Sequence, residues 1–405
     1  MNKIEKKNTT ILVNSSAITK FGDILFDYAN NTFLASLNLN SMMLVGIYQT
    51  LENIVGIIFN LFGGVFADQF QRKKILILTD FLCGFSCIFL ALISVNSWLI
   101  YAIIGIDVLL SMLSSFSTPA YKAITKEVVK KENIAKINSN IQTATMIAKI
   151  VTPIIAINIY KVIGIHGVMI LDGVTFILAG GIIWFISPII GETINKETFS
   201  FRDIFINLGS GFKYLFKRKR ILILIILSAL VNFFLAGYEL LLPYSNQMFP
   251  LIHGNIYGSF LLAQAIGGVF GAFLSGRINK TLSVTVLMFF LGMSGLLLSI
   301  APFLYNISPN IIILSLSPSI YSLFLTMFNV QFFSIIQKEI ESRYLGRIFG
   351  IIFTVALSFM PIGTMVFTMI LTTSFTYNLL FIGLSVVVLA IIFNALYHIE
   401  SRKSL

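Results

Sequence analysis

The sequence predicts an all-α membrane protein of twelve transmembrane helices, arranged as two pseudo-symmetric six-helix bundles. Three observations carry that reading: an apolar composition, twelve apolar runs of spanning length, and basic residues gathered at every second gap between the runs. The composition sets the class. Of 405 residues, 57% are hydrophobic and only 11% charged, and the mean hydropathy is +0.91. A water-soluble domain needs more polar surface than this, so a membrane chain is selected.

A helix crossing the hydrocarbon core needs about 20 mostly apolar residues. Runs bounded by charge, Pro, Gly or Asn meet that length at 18–38, 43–66, 75–95, 98–118, 138–160, 166–188, 221–245, 254–276, 282–304, 309–336, 346–372 and 376–398. The first run is the least apolar, because Asp23, Asp27, Asn30 and Asn31 interrupt it. The charge pattern supports its inclusion. With the N-terminus inside, 26 of the 28 Lys and Arg residues fall in cytoplasmic segments or, like Lys20 and Arg347, at the cytoplasmic ends of spans; Lys149 lies near the middle of a span and Lys161 outside. The positive-inside rule is then satisfied with an even number of spans, and both termini are expected in the cytoplasm, at the inner (cytoplasmic) membrane. The net charge of +11 faces anionic lipid headgroups and requires no nucleic-acid partner.

The longest gap, 189–220, begins polar and continues with Phe201, Ile204, Phe205, Leu208, Phe212, Leu215 and Phe216 at helical spacing. It ends in the basic run 217–220. This pattern predicts an amphipathic helix on the cytoplasmic leaflet. It divides the chain into an N-terminal bundle (1–188), a linker (189–220) and a C-terminal bundle (221–405). The halves also echo each other. ITKEV at 124–128 follows the fourth run and IQKEI at 336–340 follows the tenth. GGVFADQFQRK closes the second run and GGVFGAFLSGR the eighth. Internal duplication of this kind is a transporter architecture, with substrate held between the repeats.

Residues 63–74, GGVFADQFQRKK, resemble the loop 2–3 signature of the major facilitator superfamily. That signature is a glycine, an acid four residues on, then a basic cluster. Gly64, Asp68, Arg72 and Lys73 fill those places, and Gln71 stands where many members carry Gly. PAYKAITKEVVKKENIAKINS at 119–139 is similar to the loop 4–5 pattern of the drug:proton antiporters related to macrolide-efflux proteins. LDGVTF (171–176) and QKEIESRYLGRIFG (337–350) resemble the same group's sixth span and loop 10–11. The resemblance implies a twelve-helix fold, proton-driven export and bulky amphiphilic substrates. It also implies that Asp68 accepts from open N–H groups at the start of span eleven, near Gly346 and Arg347, and latches the two halves in the outward-open state; the other reading of Asp68 is a solvated loop acid next to Arg72. Where such antiporters commonly carry Gly-Pro in span five, this chain has Ala144, Ala148, Thr152–Pro153 and Ala156. Small residues still recur every fourth position, so Ala148, Thr152 and Pro153 are expected to set close packing and a kink.

Charges inside spans point to mechanism, because a charge at the bilayer centre costs about 2.5–3.5 kcal/mol on insertion scales. Asp27, Glu52, Asp107 and Lys149 fall near the middle of spans one, two, four and five, which makes them the proton-coupling candidates. Close carboxylates in low dielectric cannot all stay ionised, the property a proton carrier needs. The other reading of Lys149 is a fixed salt bridge with Asp107. Glu239 in span seven is a candidate for recognising substrate charge, or else a water-exposed rim residue. Asp23 and Asp80, near cytoplasmic span ends, are expected to be solvated, and Asp172 to be structural.

Cys83 and Cys87 read as small hydrophobes within one span. His166, His253 and His398 are isolated. No P-loop, metal-ligand cluster or nucleophile triad is present, so no cofactor, metal or enzymatic activity is expected. The function predicted is a monomeric, proton-coupled secondary exporter whose partners are a small amphiphilic substrate, protons and membrane lipids; macrolide-like antibiotics fall in that class. The rivals are an exporter of an endogenous amphiphile such as a siderophore, peptide or lysolipid, and a non-transporting membrane sensor or subunit.

Overall fold

The computed structural model describes residues 1–37, 41–94, 97–189, 209, 213–216, 218–278, 282–340 and 342–403. The expected linker helix falls largely outside them. So do the side chains of Gly64 and Asp68, and those of Gly346 and Arg347, where Asp68 was expected to dock.

Among the described residues every regular element is helical. The chain forms two compact units, Met1–Thr198 and Phe199–Leu405. The first holds α1 (Lys3–Ser36), α2 (Ser41–Gln69), α3 (Arg72–Ala91), α4 (Ser97–Val128) and α5 (Ile134–Ile183). The second holds α6 (Lys219–Leu241), α7 (Ile256–Gly276), α8 (Val284–Ser299, continued by Ala301–Ile307), α9 (Ile311–Glu339), α10 (Ser342–Ile370) and α11 (Asn378–Lys403). Ten of these helices, α2 to α11, are long and apolar enough to cross a membrane. The polar residues of α1, including Lys20, Asp23, Asp27, Asn30 and Asn31, keep it below that standard.

Two expected spans, 138–160 and 166–188, are carried by the single 50-residue α5. It breaks at Gly164, where φ is 65° and ψ −169°. Only glycine takes that conformation without steric cost. Pro153 keeps helical backbone, so the departure from helical angles comes at the glycine. Ala148, Thr152 and Ala156 form a buried stripe, while Ile147, Val151 and Ile154 are exposed on the opposite face. Small residues turned inward and branched apolar ones turned outward suit a helix packed in lipid, where close backbone approach replaces the hydrophobic drive available in water.

The internal repeat is visible in the packing. In the first unit a Cβ at Gly63 on α2 would overlap the Ser115 carbonyl oxygen on α4. In the second unit a Cβ at Gly267 on α7 would overlap the Ser319 carbonyl oxygen on α9. Both glycines open a GGVF motif, and the same interval separates the two serines. A second crossing is also repeated. A Cβ at Gly84 on α3 would lie 2.7 Å from the Gly173 carbonyl oxygen on α5, and the reverse is also true. Gly295 on α8 and Gly383 on α11 make the same exchange.

Candidate functional site

The N-terminal unit contains a cavity of about 830 Å³ lined by residues of all five helices. Two polar stripes form most of its wall. α1 contributes Ser16, Thr19, Lys20, Asp23 and Asp27, which recur at three- and four-residue intervals and so share one face. α4 contributes Asp107, Ser111, Ser114, Thr118, Lys122 and Thr125 in the same rhythm. Glu52 enters from α2, Asp80 from α3, and Gln142 and Thr145 from α5, while Phe26, Leu110 and Phe176 supply apolar wall. Five carboxylates therefore face one space: Asp23, Asp27, Glu52, Asp80 and Asp107.

Hydrogen bonds fix this wall. The Tyr48 hydroxyl on α2 donates to Asp27 Oδ1 at 3.3 Å and accepts from Asn30 Nδ2 at 3.5 Å. Asn31 Nδ2 donates to the Asp27 carbonyl at 2.9 Å, and Gln49 Nε2 donates to Asn31 Oδ1 at 3.2 Å. The Ser111 hydroxyl on α4 donates to the backbone carbonyl of Glu52 at 2.8 Å, which sets the depth of Glu52. Lys20 Nζ lies 3.6 Å from Asp23 Oδ2, with about a third of each side chain exposed (34% and 35%). Asp107 is only 5% exposed. Its Oδ2 has no hydrogen-bond partner.

A second polar cluster closes the end of the unit where α1 begins. Arg72 forms an ion pair with Glu127 of α4, and its Nε donates to the Ala67 carbonyl at 3.0 Å. Lys73 Nζ donates to the Ile186 carbonyl at 2.9 Å, just beyond α5. Glu5 Oε1 accepts from the Lys130 N–H at 2.8 Å and from Asn133 Nδ2 at 3.1 Å; its Oε2 accepts from the Asn2 N–H at 2.8 Å. The backbone donors of Lys130 and then Asn2 hold its carboxyl down at about 2. Asn8 Nδ2 donates to the carbonyls of Val128 (3.1 Å) and Ser187 (2.7 Å), and its Oδ1 accepts from the Ser187 N–H at 3.1 Å. The start of α1 is thus tied to the ends of α4 and α5.

Residues 16–364 match the family model of the Major Facilitator Superfamily. The chain belongs to the major facilitator superfamily. It is a multi-pass membrane transporter and not an enzyme. Macrolide efflux protein A of Enterococcus faecalis is 24% identical over 321 residues, covering 74% of this chain and 92% of the relative. Macrolide efflux protein A of Streptococcus pyogenes is 23% identical, covering 74% of each chain. The bicyclomycin resistance protein homolog of Haemophilus influenzae is 26% identical over 54% of this chain and 52% of its own. Among solved structures, the nucleoside transporter NupG has a TM-score of 0.76 at 16% identity, covering 96% of this chain and 99% of that one. A bacterial homologue of the iron transporter ferroportin has a TM-score of 0.75 at 15% identity, covering 98% and 99%.

In this major facilitator chain the structure brings Asp27, Glu52 and Asp107 to one cavity. Lys149 is not among the residues that line the cavity, and its side chain is exposed. Asp23 and Asp80, expected in solvent at span ends, stand on the cavity wall instead, and Asp80 is only 8% exposed. The reason is that α1 and α3 present these acids on the same face as the rest of the polar stripe. Asp172 is fully buried, accepts from Thr175 Oγ1 and meets Cys87 Sγ at 3.4 Å. Glu239 sits half-buried on α6, next to Tyr238, whose ring meets Tyr321 edge-on at 5.3 Å. Of the signature residues, Arg72 and Lys73 serve the polar cluster within the N-terminal unit. A search for charge inside the apolar runs passes over Tyr48, which is neutral, Asn8, and the acids Glu5 and Glu127, which lie outside the runs. The capping-box spacing Asn2–Glu5 was the available signal for the clasp at the start of α1.

Proposed function

We propose that this transporter is a proton-coupled exporter of lipophilic or amphiphilic compounds, with macrolide-like antibiotics in the class it handles. The observation that carries the reading is the convergence of Asp27, Glu52 and Asp107 on one cavity of about 830 Å³. That volume suits a drug-sized molecule, and several carboxylates in a low-dielectric space bind protons in competition with one another. The names of its relatives, macrolide efflux and bicyclomycin resistance, support the direction and the cargo class. In this reading α1 and the two parts of α5 bring the span count to twelve, in bundles 1–188 and 221–405 joined by 189–220. Both termini face the cytoplasm, as the basic residues require. Asp27 is the principal proton carrier, Glu52 and Asp107 share its proton, and Glu239 reads substrate charge in the second half.

The test is proton movement in inverted membrane vesicles preloaded with an acid interior. Adding erythromycin releases protons from the lumen in vesicles containing the transporter and not in control vesicles. Drug accumulation without proton movement would refute the coupling, and neither event with any of a panel of amphiphiles would refute export.

A further inference from the structure

The cavity of the N-terminal unit has two unlike walls. Asp23, Asp27, Glu52 and Asp80 come to it from α1, α2 and α3. Beyond Asp107, the α4 wall is rich in hydroxyls instead: Ser111, Ser114, Ser117, Thr118 and Thr125, with Lys122 among them. The α5 side adds Asn138, Gln142 and Thr145.

The protons of these hydroxyls are already engaged. On α4, Ser111 Oγ donates to the Glu52 carbonyl at 2.8 Å, Ser114 Oγ to the Ser111 carbonyl at 3.0 Å, and Ser117 Oγ to the Ser114 carbonyl at 3.3 Å. Thr125 Oγ1 donates to the Lys122 carbonyl at 2.8 Å, and on α5 Thr145 Oγ1 donates to the Gln142 carbonyl at 2.9 Å. A hydroxyl has one proton and two acceptor lone pairs. With the proton turned back onto a helix carbonyl, the oxygen is left to accept from whatever enters the cavity. This wall is therefore a row of acceptors. An amphiphile built only of hydrocarbon, ether and ester groups would displace its water and return no hydrogen bond.

Spacing narrows the class further. Ser111 and Thr125 lie roughly 21 Å apart along α4, at ~1.5 Å per residue. A single ammonium group concentrates its donors at one point, and Lys122 on the same wall opposes it. Hydroxyl groups carried at several points of one body can donate along the row. They can also accept from the Asn138 and Gln142 amides, because an alcohol does both. Leu110 and Ile141 supply apolar surface beside the row.

Resting on the export reading above, we infer that the α4–α5 wall of the cavity recognises polyhydroxylated amphiphiles, of which glycosides are the simplest case. The sugar hydroxyls donate to the oxygens of Ser114, Ser117 and Thr145 and accept from Gln142. The apolar body lies along Leu110 and Ile141. Recognition by this wall uses neutral hydrogen bonds, so it is separate from the carboxylates that carry protons.

The test uses the purified full-length transporter in lipid nanodiscs free of glycoside detergent. Binding is titrated with naphthyl β-glucoside and with its fully O-methylated ether, which keeps the sugar oxygens and loses every hydroxyl donor. Empty nanodiscs correct for uptake by lipid. The wild type binds the glucoside about tenfold more tightly than the ether. The double variant Ser114→Ala, Thr145→Val weakens the glucoside about tenfold and leaves the ether unchanged. Unchanged ether binding reports an intact fold; if the variant loses both probes it is misfolded, and the wild-type comparison alone decides. Wild-type binding of the ether as tight as the glucoside overturns the inference and leaves amphiphile export intact. So does a double variant that keeps the ether and holds the glucoside as the wild type does. If the wild type binds erythromycin and neither probe, the inference alone falls. If it binds none of the three, the inference and the export reading fall together.

Discussion

The ion pair between Arg72 and Glu127 allows a quantitative test of how the N-terminal unit is held together. Arg72 opens α3 and Glu127 closes α4, and their side chains are only 13% and 5% exposed. Removing one member of a buried pair leaves an uncompensated charge, at a cost of about 3–5 kcal/mol. Arg72 keeps its bond to the Ala67 carbonyl at 3.0 Å, so Glu127→Gln should fall at the low end, about 3 kcal/mol. For a unit of this size, 1 kcal/mol moves the melting temperature by about 2–4 °C, which gives a drop of about 6–12 °C. Arg72→Gln should cost a similar amount. The double variant should cost no more than either single, because the interaction is lost once only. The assay is thermal unfolding of the purified protein in detergent, followed by tryptophan fluorescence, for the wild type and all three variants. Additive shifts in the double variant would refute the argument, as would a Glu127→Gln protein that melts with the wild type.

Three further outcomes follow from the same structure. Gly84→Ala places a methyl 2.7 Å from the Gly173 carbonyl oxygen; overpacking of this kind costs about 1–3 kcal/mol, and Gly383→Ala should behave alike in the second unit. Unchanged melting of both would contradict the repeated glycine crossing. Glu5 has its carboxyl at about 2, below the ordinary 4.5. Its contribution is therefore fully present above pH 4.5 and fades as pH falls through about 2. The melting difference between wild type and Glu5→Gln should shrink over that window, and a pH-independent difference would exclude the clasp. For topology, a membrane-impermeant thiol reagent added to intact cells should label a cysteine introduced at His253 and miss one in 189–220, in a background lacking the buried Cys83 and Cys87; labelling of the linker would overturn the orientation.

Most of the fold was legible because lipid imposes a simple rule: a span must be about 20 residues long and apolar. The helices depart from the apolar runs where that rule stops applying. α1 starts at Lys3, well before the run at 18–38, because Asn2 and Glu5 cap it and Asn8 docks it on α4 and α5. α4 continues to Val128, past the run ending at 118, because the Arg72–Glu127 pair anchors its polar last turns. Hydropathy sees neither effect. The break at Gly164 was bracketed by the gap between runs five and six, but not its form, since a positive φ depends on local geometry. The site was legible in part. Asp27, Glu52 and Asp107 could be found from the cost of burying charge. Lys149 carries the same signal but does not line the cavity, because depth along a helix does not fix which face a residue takes. Reading the three- and four-residue rhythm of α1 and α4 would have placed Lys20, Asp23, Ser111 and Ser114 on the same wall.

We propose that Asp27 couples protons to export. Its most direct test is transport by proteoliposomes containing either the wild type or Asp27→Asn, with and without an imposed pH gradient. The Asn variant stands in for a permanently protonated carboxyl, so it can bind and exchange cargo but cannot carry a proton through the cycle. Wild-type vesicles should concentrate erythromycin when the gradient is applied. Asp27→Asn vesicles should lose that uphill accumulation, yet still bind the drug and exchange it down its own gradient. An Asp27→Asn transporter that concentrates drug against a gradient at the wild-type rate would remove Asp27 from proton coupling.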